Sequence, residues 1–199
     1  MKYTKKERDQ SFLVRKVSEN HNVEVSVQDA KTAINNNPES YFSLPEEMRK
    51  IEELAAVAIE KSKGAAFIHM SDEIKGNRNL ALNAVELNAE SLLHASENLR
   101  SDLNFCSEVF ILNPRALQYS SDRIKKNENA VEIAAQKFKE MNLHGNVLQY
   151  AHNDLRGDAK FVKRLIQNVS YTEFEGASDD LKSSFTFFSD CIHYWNSRF

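Results

Sequence analysis

The apolar positions of the chain fall into a short pattern that returns six times. A small residue is followed by Ser, an acid, a variable residue, Leu or Ile, and a base. The clearest copies are Met70-Ser71-Asp72-Glu73-Ile74-Lys75, Ala95-Ser96-Glu97-Asn98-Leu99-Arg100, Ser120-Ser121-Asp122-Arg123-Ile124-Lys125 and Ala177-Ser178-Asp179-Asp180-Leu181-Lys182. Leu44-Pro45-Glu46-Glu47-Met48-Arg49 and Ala151-His152-Asn153-Asp154-Leu155-Arg156 are weaker copies. The anchors Met48, Ile74, Leu99, Ile124, Leu155 and Leu181 are separated by 26, 25, 25, 31 and 26 residues. A fixed period of this length is the signature of a repeat architecture. The long interval takes its extra residues around Met141-Asn142-Leu143-His144-Gly145.

A second column agrees with the first. Four residues before the Ser position stand Tyr41, Phe67, Leu92, Leu117, Leu148 and Phe174, all apolar, so this column should face the core. Upstream of it each repeat carries a helical stretch. Four of these end near Asn37, Asn88, Asn113 and Asn168, and Pro38 and Pro114 follow two of them. Asn ends helices in the left-handed conformation and Pro cannot extend one. In the third repeat the first helix should run from about Asn79 to Leu87 and the second from about Glu90 to Ala95. The Ser-acid pair then reads as an N-cap that starts one more turn, holding the anchor.

Helices this short bury no core alone, but stacked neighbours do. The expected fold is therefore all-α. It is an α-solenoid-like array of about six two-helix repeats of about 25 residues, occupying residues 25–184 and closed by helical caps. Residues 1–24 are polar around Phe12, Leu13, Val14 and Val17, and are expected to form an N-terminal arm or capping helix. Residues 185–199 should form an aromatic C-terminal capping helix. Phe185, Phe188, Ile192, Trp195 and Phe199 share one face of it, which either seals the last repeat or serves as a docking helix.

The stretch Asn79-Leu80-Ala81-Leu82-Asn83-Ala84-Val85-Glu86-Leu87-Asn88-Ala89-Glu90-Ser91-Leu92-Leu93-His94-Ala95-Ser96-Glu97-Asn98-Leu99-Arg100-Ser101-Asp102 resembles the bacterial and viral repeat catalogued as domain of unknown function 4116. The fourth and sixth repeats resemble it in part, and the first, second and fifth have drifted. The resemblance spans roughly residues 25–184. It implies an all-helical repeat fold and brings no activity with it. The family's usual company implies an effector or inhibitor of bacterial or viral origin.

Composition narrows the function. Hydrophobic residues are 41% and charged residues 28%, which suits a folded domain, and only five Gly and three Pro interrupt it. No apolar run approaches membrane-spanning length, and the first 30 residues lack a signal-peptide core. Cys106 and Cys191 form no metal-type pair and sit among apolar residues, so buried thiols in a reducing cytoplasm are expected. The net charge of −3 is too balanced for nucleic-acid binding by bulk electrostatics.

No phosphate loop, nucleophile elbow, helical His pair or dinucleotide fingerprint occurs. No catalytic residue, metal site or cofactor is therefore expected. Two polar columns are candidates for partner binding. His69, His94, Tyr119 and Tyr150 hold one site in four consecutive repeats, and rings with polar tips suit recognition. Arg49, Lys75, Arg100, Lys125, Arg156 and Lys182 follow the anchor in all six repeats. They read either as a cationic stripe for an acidic protein or phosphates, or as helix-end bases that join neighbouring repeats. The expected function is a non-enzymatic protein-binding scaffold. A nucleic-acid-binding repeat protein using the basic column is the alternative, with the tyrosines stacking on bases. An enzyme centred on His144 and His152 in the long repeat is the second alternative.

Overall fold

The computed structural model describes residues 25–196, with side chains described as far as Ile192. The expected arm at 1–24 and the side chains of Trp195 and Phe199 lie outside the described residues. All regular structure among the described residues is helical. The chain divides into two compact bodies, one ending at Ser96 and the other starting at Glu97, so the boundary falls inside the third repeat.

Each repeat opens with its longest helix. These helices are α1 (Val27–Asn36), α2 (Glu52–Lys61), α3 (Arg78–Leu87), α4 (Leu103–Leu112), α5 (Glu128–Glu140) and α6 (Ala159–Asn168), and α7 (Phe185–Asn196) comes after the sixth repeat. Helices α2 to α7 all start four residues after an anchor. The third, fourth, seventh and eighth residues of α2 to α6 are all buried, as in Leu80, Ala81, Ala84 and Val85 of α3. That spacing makes one stripe of a helix. Burying a Leu or Phe in such a stripe stabilises the fold by about 2 kcal/mol.

A polar side chain just before the first helix fixes where it begins in every repeat but the second, where Ile51 makes no such cap. Asn77, Asp102, Asn127, Asp158 and Ser184 accept hydrogen bonds through their side chains from the first-turn N–H groups. Asp158 takes two, from Lys160 at 2.8 Å and Phe161 at 3.1 Å. Asp158→Ala should therefore lower the stability of the C-terminal body by about 1 kcal/mol, measured by urea titration of the purified protein.

Two short segments complete each repeat, where the sequence indicated one short helix and a further turn. Five of the six second segments are 3-10 helices: Pro38–Ser43, Ala65–His69, Pro114–Tyr119, Leu148–Tyr150 and Tyr171–Gly176. Ser91–His94 is a single α-turn. The core column Tyr41, Phe67, Leu92, Leu117 and Leu148 is buried here, and Phe174 is half-buried. The third segments carry the anchors, from Glu46–Arg49 to Asp179–Ser183. Ser71 and Ser178 cap theirs as expected, accepting from the N–H groups of Ile74 and Leu181.

The asparagines act differently from the expectation. Asn37, Asn88 and Asn113 end their helices in extended backbone, with φ of −149°, −147° and −145°. Extended geometry lets the side chains of Asn37 and Asn88 accept from the N–H groups of Glu39 and Glu90, both at 3.1 Å. They start the second segment rather than stop the first. Asn168 belongs to the body of α6, and Ser170 takes the capping role there. The left-handed conformation appears instead after α5, at Asn142 (φ 52°), and after α2. Lys63 (φ 54°) and Gly64 (φ 85°) end α2, and Gly64 donates its N–H to the Ile59 carbonyl at 2.8 Å.

Three of the five junctions between successive repeats are tied through the main chain. There the N–H at the Ser position donates to the carbonyl of the preceding repeat's column base. Ser96 donates to Lys75 at 3.0 Å, His152 to Lys125 at 3.0 Å, and Ser178 to Arg156 at 2.8 Å.

Candidate interaction surface

All six column bases, from Arg49 to Lys182, are half-buried. The side chains of Arg100, Arg156 and Lys182 turn toward their own short helix or the next repeat. Arg100 pairs with Glu97, and Lys182 with Asp179 at 2.8 Å. Arg156 donates from Nε to the Gly176 carbonyl of the next repeat at 2.8 Å. The Arg49 carbonyl accepts the Tyr41 hydroxyl, and burial pushes that phenol up to about 12, so it remains a neutral donor. The Nε atoms of Arg49 and Arg100 are buried without a hydrogen-bond partner. A stripe that reads phosphates needs exposed cations. At Lys75, Lys125 and Arg156 the main-chain carbonyl, and at Arg156 also the guanidinium, bonds to the next repeat.

The ring column is divided between the two bodies. His69 is exposed and meets Phe42 of the preceding repeat edge-on, with ring centroids 5.8 Å apart. His94, Tyr119 and Tyr150 are half-buried. Tyr150 and Lys125 line one shallow polar groove of about 320 Å³ with Gln118, Asp122, Gln149 and His152. That groove is where the structure brings together members of both columns.

One column escaped the sequence reading. Immediately before the ring column stand Phe42, Ile68 and Leu93 in the N-terminal body, and Gln118, Gln149 and Glu175 in the C-terminal body. Ile68 is 40% exposed and Leu93 46%, while Phe42 is half-buried. Large aliphatic groups thus recur at one exposed site of successive repeats, each followed by an imidazole. The signal was present one residue ahead of the rings.

Glu173 was also missed. Its column reads Ser40, Ala66, Ser91, Ala116, Val147 and Glu173, and all six residues are buried. Small or apolar residues are the rule here, so the acid is the exception. The long fifth repeat explains it. Helix α5 runs three residues past the usual ten, and the following 3-10 segment shrinks to Leu148–Tyr150. The N–H groups of Val147 and Leu148 would otherwise enter the core unpaired. The Glu173 carboxylate accepts both, at 3.1 and 2.8 Å. Burial raises its pKa, and the two N–H bonds work against that rise.

His144 and His152 have separate environments. His144 is exposed. His152 fills the Ser position of its repeat, and its Nδ1 accepts the Asp154 N–H at 3.2 Å as an N-cap. A salt bridge from Lys126 at 3.2 Å holds the Asp154 carboxyl below the usual range. Cys106 is buried, and burial pushes its thiol up to about 12. It is therefore a poor nucleophile. Among the described residues no group of three or more His, Cys, Asp or Glu is placed to hold a metal ion. None of the described helices is long and apolar enough to cross a membrane.

Comparison with family models gives two overlapping matches, over residues 52–100 and 77–125, to the family described as Domain of unknown function (DUF4116). No curated protein and no solved structure matches the chain. The first match runs from α2 to the end of the third anchor segment, and the second from the start of α3 to the end of the fourth. Each therefore covers two successive turns of the repeat, and residues 52–125 carry the repeat of that family.

Proposed function

We propose that the chain is a non-enzymatic, cytoplasmic scaffold that docks on a partner protein, in the manner of an effector or inhibitor. The observation that carries this reading is the exposed pair Ile68 and Leu93, one repeat apart, each beside a ring of the His column. Single exposed aliphatics are common on any surface. The same site repeated in register, with polar-tipped rings beside it, is the composition of an interface centre. The half-buried bases favour this reading over nucleic-acid binding, and the capping role of His152 favours it over catalysis.

The test is a tagged pull-down from native lysate that compares wild type with the Ile68→Ser/Leu93→Ser variant. A second variant changes His69, His94, Tyr119 and Tyr150 to Ala. Wild type should retain a protein that the first variant loses by about tenfold or more, as truncating interface anchors does. The variant's circular dichroism melt should stay at the wild-type midpoint. Equal capture by both forms, or capture by neither, sinks the proposal. A salt-sensitive shift of single-stranded RNA that is lost on changing Lys75 and Lys125 to Ala would move the reading to nucleic acid.

A further inference from the structure

The anchors Ile124 and Leu155 are 31 residues apart, where the other steps are 25 or 26. The extra residues lengthen α5 to 13 residues, against ten in α4 and ten in α6. They also carry the chain further before α6 begins. As a result α5 packs closely along α4 but meets α6 only loosely. A groove of about 420 Å³ opens there, along α5 and between the C-terminal ends of α4 and α6. All of its lining belongs to described residues of the C-terminal body, from Ile111 to Val169.

The groove follows α5 from Asn129 to Glu140, a rise of about 16 Å at about 1.5 Å per residue. That length takes about five residues of extended chain. Four lining residues are aliphatic: Ile111, Ile133, Leu165 and Val169. Leu165 and Val169 are buried, Ile133 is half-buried and Ile111 is 51% exposed. Three more are exposed carboxamides, Asn129, Gln136 and Asn168. Each carboxamide offers both donors and an acceptor. A helical guest has already used its main-chain N–H and C=O groups internally, and an apolar small molecule has none. Either would displace water from the amides and return no hydrogen bond. An extended segment presents free N–H and C=O groups between alternating side chains, and so matches both kinds of lining.

The charges add a preference. Glu128, Glu132, Gln136 and Glu140 follow one another at four-residue intervals, which sets them on one ridge of α5. Arg164 of α6 reaches across to Glu128 and, from Nε at 2.7 Å, to Glu132. Glu140 has weaker partners, Gln136 at 3.2 Å and Lys137 at 3.4 Å. Those two bonds hold its carboxyl below the usual range, so it stays ionised. Three carboxylates thus stand against two cations, and the surplus negative charge favours a basic guest.

We propose that this groove binds an extended peptide segment of a partner protein, with aliphatic side chains at alternate positions and one Lys or Arg beside Glu140. It is a docking site separate from the Ile68 and Leu93 patch. Selection of random peptides of about seven residues against the full chain, followed by fluorescence anisotropy of the enriched ones, tests this. The enriched peptides should alternate aliphatic residues and carry a base. Ile111→Glu should weaken their binding by about tenfold or more at an unchanged circular dichroism melt. N-methylation of single main-chain amides in the peptide should also weaken it. Selection against Glu140→Lys should yield peptides without the base. The Ile68→Ser/Leu93→Ser variant should bind the peptides as wild type does, so this test and the pull-down fail separately. A selection that enriches no peptide overturns the proposal, as do peptides indifferent to Ile111→Glu. Enriched peptides with helical spacing that tolerate N-methylation overturn the extended form.

Discussion

Replacing Glu173 with Ala should destabilise the C-terminal body by about 3 kcal/mol, because two buried N–H groups would lose their only acceptor. An orphaned buried donor costs about 1–3 kcal/mol, and two are released at once. Part of that loss is offset, since the variant no longer has to keep a carboxylate out of water. Glu173→Gln retains an acceptor oxygen at the same place and should keep most of the stability. Urea unfolding of the three proteins measures both differences, and equal midpoints for Ala and wild type would show that the cap contributes nothing.

The pH dependence of the same group has a definite sign. Burial raises the pKa of Glu173 above that of the unfolded chain, so the folded state holds the proton more tightly. Its contribution to stability is then full below the unfolded pKa and is lost as pH rises through the folded one. Wild type should gain on Glu173→Gln as pH falls from neutrality through that window. The exposed carboxylates Asp154 and Asp179 are held low by Lys126 and Lys182, and their contribution runs the other way, lost as pH falls. Both are common to wild type and variant, so they cancel in the difference.

Gly64→Ala should cost the N-terminal body about 3 kcal/mol, for two independent reasons. The backbone at Gly64 has φ of 85°, where a Cβ adds about 1 kcal/mol of strain. That Cβ would also stand 2.8 Å from the Ala84 carbonyl oxygen and 2.8 Å from the Asn88 Cβ, both fixed by α3. Overpacking against backbone costs about 1–3 kcal/mol, because no flexible side chain gives way. Thermal unfolding by circular dichroism reads the loss. Gly76→Ala is the matched control, since a Cβ there meets nothing within 4 Å. Similar losses in both variants would contradict the close-approach argument.

The repeat itself was legible because its signal is periodic. An anchor, a core residue seven positions before it and a Ser-acid cap return together, and each is dictated by local helix chemistry. The seams were not legible in the same way. Whether Asn37 is left-handed or extended depends on what its side chain reaches two residues later, and the residue type allows both. Phe185, Phe188 and Ile192, the row that sequence offered either as a seal or as a docking face, are exposed, and the neighbouring Phe187 and Cys191 are buried. Hydrophobic spacing alone does not separate two adjacent apolar rows, but alignment with α2 to α6 does. Glu173 was hidden because its purpose comes from an insertion some 30 residues upstream. The basic column was visible in full, while its half-burial and the carbonyl partners of Lys75, Lys125 and Arg156 come only from the packing of neighbouring repeats.

The tie found at three junctions consists of one main-chain N–H and one main-chain carbonyl, so it asks nothing of the side chains on either side. The fifth repeat, with His in place of Ser, forms the tie as the sixth does. A tandem duplication of about 25 residues would therefore arrive with its own donor and its own acceptor, and a deletion would remove one of each. The main-chain tie itself then needs no compensating substitution when the array lengthens or shortens at such a junction. Selection is then free to act on the outward residues of each copy separately.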